Sequence, residues 1–150
     1  MRVLVQRVSE ASVAIEKEIR SKIGNGVLIL LGIENEDNQE DVDWLCAKIA
    51  KLRIFPDAEG IMNLSLMDTK GEALVVSQFT LHASTKKGNR PSYIQAARPE
   101  VAVPLYEEFV SRLTQVLAKE IETGEFGADM KISLINDGPV SIWMDSKLKE

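Results

Sequence analysis

The sequence predicts a mixed α/β fold: mostly antiparallel, barrel-like β-sheets with two packed helices, in one domain spanning residues 1–150. Three observations lead there. Short apolar runs recur along the chain, two longer segments carry apolar residues at helical spacing, and breaks bearing glycine or proline separate them. A chain of 150 residues, 45% hydrophobic and 27% charged, can bury a core without metal or disulfide staples.

The elements follow in order. Residues 1–8 read as a strand, residues 11–16 as its hairpin partner, and residues 18–23 as an extension of the meander. Gly24-Asn25-Gly26 is a turn signal. Residues 27–33 are almost wholly apolar, which predicts a central strand buried on both faces. A helix over 39–52 repeats Val42, Leu45, Cys46, Ile49 and Leu52, with Asn38 as cap and Asp41 and Asp43 in its first turns. Residues 73–79 form another buried strand, and 80–99 a long loop broken by Gly88, Pro91 and Pro99. A second helix runs over 104–123 between Pro104 and Gly124, its apolar face holding Leu105, Phe109, Leu113, Val116 and Leu117. Residues 130–136 and 140–144 are the last two strands, joined through Asp137-Gly138-Pro139. Strands so apolar on both faces need more cover than two helices supply, so a second copy of the chain is the expected cover.

Composition removes several classes of function. One histidine and one cysteine exclude zinc sites of the His/Cys type, and no glycine-rich phosphate loop occurs, so no metal or cofactor is expected. A lone cysteine forms no intrachain disulfide, the opening residues lack a signal-peptide pattern, and no apolar run could span a bilayer. The expected location is the cytoplasm, with no membrane partner. A net charge of −5 argues against bulk nucleic-acid affinity. Its distribution argues otherwise locally: between Ser84 and Arg98 stand Lys86, Lys87, Arg90 and Arg98 with no carboxylate. Such a stretch can hold a few phosphates, or be a solvated loop.

Two segments can carry chemistry. Ser77-Gln78-Phe79-Thr80-Leu81 ends a buried strand with two hydroxyls and a carboxamide, where a rigid scaffold meets an open edge. The carboxamide and nearby N–H groups can stabilise an oxyanion, or simply satisfy a polar strand end. His82 is a conceivable base for Ser77 or Thr80, without an orienting acid in view. Cys46 lies on an apolar helix face and reads as core. In Asn136-Asp137-Gly138-Pro139-Val140 the Gly-Pro pair is either a hairpin turn or a cis element. A rigid backbone without a Cβ at Gly138 can approach a ligand closely and read chirality by clash.

These segments resemble the two signatures of the D-aminoacyl-tRNA deacylase family (the D-tyrosyl-tRNA deacylases), Ser-Gln-Phe-Thr-Leu and Asn-x-Gly-Pro-Val-Thr. The first is intact; in the second, Ser141 replaces the usual threonine and keeps the hydroxyl. Val5-Gln6-Arg7-Val8-Ser9-Glu10-Ala11-Ser12-Val13 and Phe126-Gly127-Ala128-Asp129-Met130 also match, so the resemblance covers essentially the whole chain.

The resemblance implies a homodimer that hydrolyses the ester joining a D-amino acid to the 3′-terminal adenosine of tRNA. Glycyl esters, lacking a side chain to reject, would be cleaved too. It implies that the Gly138-Pro139 pair of one subunit, in the cis form, reaches the partner's site beside Ser77, Gln78, Phe79 and Thr80. There its main-chain carbonyls would exclude an L side chain, with Arg7 holding the motif and Gln6 close by. Lys86, Lys87 and Arg90 would contact the tRNA. Two views of the chemistry stand in this family: Thr80 as nucleophile, or the adenosine 2′-hydroxyl as the key group positioned by main chain near Phe79 and Thr80. The sequence favours the second, because it offers Thr80 no convincing base. Two rivals stay open, a hydrolase of small esters or amides without RNA and a non-enzymatic binding dimer.

Overall fold

The first strand is longer than its sequence suggests, which divides it in two. In the computed structural model, which describes residues 1–149, β1 (Arg2–Ile15) runs unbroken through the expected hairpin. The intervening Arg7-Val8-Ser9-Glu10-Ala11 contains no glycine, proline or asparagine to reverse the chain, so it bulges and continues. The first hairpin lies later. Glu16 and Lys17, both at positive φ (51° and 69°), turn β1 into β2 (Glu18–Ile23). β3 (Gly26–Gly32) pairs antiparallel with the first half of β1, as β2 does with the second half. The Gly24-Asn25 segment therefore bends the chain without reversing it.

β3 also pairs in parallel with β6 (Glu72–Ser77), and β6 with the short β7 (Glu122–Thr123). The strand order is β2-β1-β3-β6-β7, with β8 (Lys131–Asp145) on β1. The Ser21 hydroxyl of β2 donates to the Thr123 carbonyl of β7 at 2.8 Å, drawing the two ends of this sheet together into a nearly closed, barrel-like wall. β4 (Phe55–Pro56) and β5 (Met62–Leu64) form a separate small ribbon, followed by the single turn α2 (Leu66–Thr69).

β3 is buried on both faces, as its apolar run requires. Val27, Ile29 and Leu31 pack with Val42 and Leu45 of α1 (Gln39–Lys51) and with Phe109 and Leu113 of α3 (Pro99–Leu117). Leu28 and Leu30 turn into a second cluster with Val8, Val13, Ile23, Leu74 and Val76. Fully burying each such side chain stabilises by about 1.5–3 kcal/mol. α1 starts where the capping signal stands, Asn38 and Asp41 completing a reciprocal box.

α3 corrects the expected 104–123 helix at both ends. Pro99 takes the first helical position, where a missing N–H costs nothing, and Pro104 lies inside on the exposed side, where water can serve the carbonyl its ring leaves unpaired. The helix stops at Ala118, which adopts φ 50° although glycine arrives only at 124. The strand expected over 73–79 likewise ends at Ser77, and Phe79–His82 winds into one 3-10 turn.

The two strands expected at the end of the chain are one. Both halves of β8 run antiparallel to β1, and the pairing jumps from Val8↔Asn136 to Gln6↔Ser141. Asp137-Gly138-Pro139 is thus an outward loop within a single strand, opposite Arg7, and not a hairpin turn. Among the described residues, no helix is long and apolar enough to cross a membrane.

Candidate functional site

The end of β6 and the turn after it form one wall of a cleft of about 280 Å³. The Gln78 amide donates to the Leu31 carbonyl at 2.7 Å and so carries the sheet's pairing to the turn's threshold. Beneath the turn, a Cβ on Gly32 would lie 3.0 Å from the Gln78 carbonyl, from His82 and from Leu81. Only a glycine lets the turn pack this closely on β3. From the side, Arg2 donates to the Leu81 carbonyl at 3.1 Å and to Asp145 at 2.8 Å. The turn is consequently held on rigid strand ends, while the amides of Phe79 and Thr80, at its start, have no hydrogen-bond partner among the described residues.

Ser77, Gln78 and Phe79 line the cleft; Thr80 does not. The opposite wall is Phe126 to Met130. This stretch matches the family in sequence but is not among the expected site residues; its signal is Gly127, at φ 79°, turning the chain before β8. The Gln78 carboxamide donates to the Thr80 hydroxyl oxygen. No described group accepts from that hydroxyl, so Thr80 has no base. His82 does not supply one. Its side chain is completely buried, neither ring nitrogen has a hydrogen-bond partner of good geometry, and the Glu34 carboxylate lies 3.9 Å from Nδ1. Burial lowers its pKa, so the ring is neutral near pH 7. Cys46 is buried on α1 with its thiol pushed up to about 12 by desolvation, which leaves it inert.

Gly138 and Pro139, joined by a cis peptide bond, stand exposed on the β8 loop, and neither lines the cleft. Gly138 has φ 139°, and a Cβ there would meet Val140 Cγ2 at 2.8 Å and Arg7 Nη2 at 3.0 Å. The loop is braced from below. The largely buried Arg7 guanidinium donates to the carbonyls of Asp137 (2.8 Å) and Ile54 (2.6 Å). Asn136 accepts from the Val140 amide at 2.8 Å and donates to Ser141 Oγ at 3.0 Å, and Gln6 donates to the same hydroxyl at 3.1 Å. Gln6 and Arg7 thus sit against the loop. Asn136 and Ile54, absent from the sequence-derived set, complete the brace; a carboxamide one residue before the loop was the available signal for Asn136.

Lys86, Lys87 and Arg90 are all exposed, on a loop closed by paired hydrogen bonds between Ser84 and Ser92 (2.8 and 2.9 Å). Among the described residues none of the three has a carboxylate within 4 Å, and no group of three metal-ligating side chains occurs.

Comparison with known proteins adds to this geometry. The sequence model of one family, described as D-Tyr-tRNA(Tyr) deacylase, matches residues 4–145. The chain is 65% identical over 150 residues to a D-aminoacyl-tRNA deacylase of Bacteroides thetaiotaomicron, and 63% identical over 150 residues to one of Flavobacterium psychrophilum, covering the full length of each chain. A solved structure described as c-Myc DNA Unwinding Element Binding Protein superposes with a TM-score of 0.92 at 41% identity, over 97% of this chain and 98% of that one. With a family match over nearly all its length and relatives this similar, the chain belongs to the D-Tyr-tRNA(Tyr) deacylase family.

Proposed function

We propose that this chain hydrolyses the ester bond of D-aminoacyl-tRNA, releasing free tRNA and the D-amino acid. Family membership carries the activity, and the cleft beside the braced turn at Phe79 carries the location. The 3′-terminal adenosine enters the cleft, and the scissile carbonyl lies at the unpartnered amides of Phe79 and Thr80. Water adds to that carbonyl, the amides hold the developing oxyanion, and the ester C–O bond breaks as the ribose 3′-oxygen leaves and takes up a proton. An oxyanion donor of this kind contributes about 10²–10³ in rate. The neighbouring ribose 2′-hydroxyl orients the reaction, a reading supported by a Thr80 hydroxyl that has no base.

Chirality is read by the main-chain carbonyls of Gly138 and Pro139 acting in the cleft of a partner subunit. The supporting observation is that this loop is braced and exposed yet absent from its own chain's cleft. A two-fold dimer lets each subunit give one loop and receive one. Among the described residues β8 pairs with β1 alone along its 15 residues, which leaves its other edge open. A glycyl ester presents no side chain to that filter and is hydrolysed as well. The reaction takes place in the cytoplasm, where charged tRNA is made.

A tRNA-dependence assay tests this reading. The protein should cleave D-tyrosyl-tRNA and leave D-tyrosine ethyl ester, which lacks the ribose, essentially untouched. Equal cleavage of both would make it a small-ester hydrolase, and light scattering that shows an active monomer would remove the shared site.

A further inference from the structure

At the cleft's mouth, two aromatic rings are exposed where a soluble fold would ordinarily cover them. Phe79 is 55% exposed and Tyr93 39% exposed, and their rings meet edge to face with centroids 5.0 Å apart. Next to them Ile94 is 84% exposed. Phe79 also lines the cleft, so the ring pair is continuous with the path by which a substrate enters.

The backbone under Tyr93 is fixed on both sides. Before it, Ser92 pairs with Ser84; after it, the Ala96 amide donates to the Tyr93 carbonyl at 3.0 Å and the Ala97 amide to the Ile33 carbonyl at 2.9 Å. Tyr93 is held on a loop that also carries four exposed cations. Lys86, Lys87, Arg90 and Arg98 precede and follow it without a carboxylate between Ser84 and Arg98. Aromatic faces interleaved with unpaired cations suit single-stranded nucleic acid, whose bases stack and whose phosphates need neutralising. An acidic peptide would account for the cations but leave the two rings without a partner.

We infer that the Phe79–Tyr93 corner is a stacking platform for the unpaired nucleotide immediately before the terminal adenosine of tRNA. This rests on the proposed deacylase reading and extends it: the enzyme grips the single-stranded 3′ end, and not only its last residue. The base lies on the Tyr93 ring against the edge of Phe79, while the flanking cations hold the phosphates on either side. Stacking is sequence-tolerant, so the platform recognises a single-stranded 3′ end common to all tRNAs.

The experiment uses an acceptor-stem minihelix with 2-aminopurine replacing that penultimate nucleotide, and the same minihelix carrying D-tyrosine. Binding to the wild-type protein should quench the fluorescence by stacking. Tyr93→Ala should abolish the quench and raise KM for the D-tyrosyl minihelix about tenfold, the usual range for one lost base stack. Because no charge is removed, the salt dependence of binding should keep its slope. Tyr93→Phe should keep both the quench and KM. Full quenching with unchanged KM in Tyr93→Ala overturns the platform. So does Tyr93→Phe behaving like Tyr93→Ala, which would assign the effect to the hydroxyl. Failure of the wild type to hydrolyse the D-tyrosyl minihelix would instead overturn the deacylase reading.

Discussion

Substituting alanine for Gly138 tests how tightly the β8 loop is specified. Three costs follow from the structure. The φ of 139° belongs to a region that residues with a Cβ rarely occupy, at about 1–3 kcal/mol. The added Cβ would lie 3.1 Å from the Val140 amide nitrogen, which cannot rotate away, and 2.8 Å from Val140 Cγ2. It would also lie 3.0 Å from Arg7 Nη2, the end of a side chain pinned by the carbonyls of Asp137 and Ile54. The loop is exposed and outside both core clusters, so the strain can be relieved by shifting the loop alone. Global stability should therefore fall by no more than about 2 kcal/mol, a drop of about 4–8 °C in Tm for a chain of this size. Activity should fall further, because a displacement of about 1 Å at a positioning element can cost about 10²-fold in rate. The assay pairs thermal melting with initial rates on D-tyrosyl-tRNA. Asp137→Ala serves as the comparison, since it keeps the carbonyl that Arg7 binds and loses only a side-chain ion pair at 3.6 Å. With the Asp137 carboxylate exposed to solvent and the contact long, that pair is worth about 0–1 kcal/mol. Wild-type rates from Gly138→Ala would refute the idea that the loop's backbone is the functional element.

The remaining predictions concern chemistry, RNA and pH. Thr80→Ala should retain activity within about tenfold, whereas loss of a covalent nucleophile would cost several orders of magnitude; a terminal 2′-deoxyadenosine should stop turnover in either protein. Neutralising Lys86, Lys87 and Arg90 together should weaken tRNA binding and lower its salt slope by roughly one per lost phosphate contact, and an unchanged slope would mark the loop as merely solvated. His82, neutral and buried, makes stability pH-dependent. Above 6.5, its ordinary value, neither state is protonated and its contribution is complete. As pH falls from there toward the lower folded value, the unfolded chain binds a proton that the folded ring resists, and stability declines. Although burial pushes Asp41 and Asp145 up, hydrogen bonds from Lys147 and Arg2 hold both below 3.8, so their contributions are lost only in a more acidic window. Melts between pH 7.5 and 5.5 should show the decline, and His82→Gln should flatten it; a decline of equal size in the variant would contradict the assignment.

What the sequence reveals of this fold divides by physical cause. Burial patterns are local and were legible: the run from Val27 to Leu31 predicts a two-face central strand, and Val42, Leu45, Cys46 and Ile49 predict the face of α1. Strand partners were not legible where the usual punctuation misleads. Glu16-Lys17 turns the chain with no glycine, while Gly24-Asn25 and Gly138-Pro139 interrupt it without reversing it, because β1 is long enough to hold both halves of β8 in one direction. The helix ends at 99 and 117 are hidden because Pro104 reads as a start and Gly124 as a stop. Of the candidate site, the motif residues were readable, but their separation was not. Ser77, Gln78 and Phe79 line the cleft, whereas Gly138 and Pro139 are exposed outside it, a relation that depends on how β8 pairs with β1. Asn136 and the Phe126 to Met130 wall carry only weak signals, a carboxamide before the loop and Gly127, and their roles come from tertiary contact.

The central claim is that this chain cleaves D-aminoacyl-tRNA and spares the L form. Purified protein incubated with matched D- and L-tyrosyl-tRNA measures it directly. A side-chain pocket that yields discriminates by roughly 10–200-fold. The main-chain filter proposed for Gly138 and Pro139 predicts rapid hydrolysis of the D ester and a D/L rate ratio above that range. Comparable rates on the two esters, or no hydrolysis of either, would contradict the account.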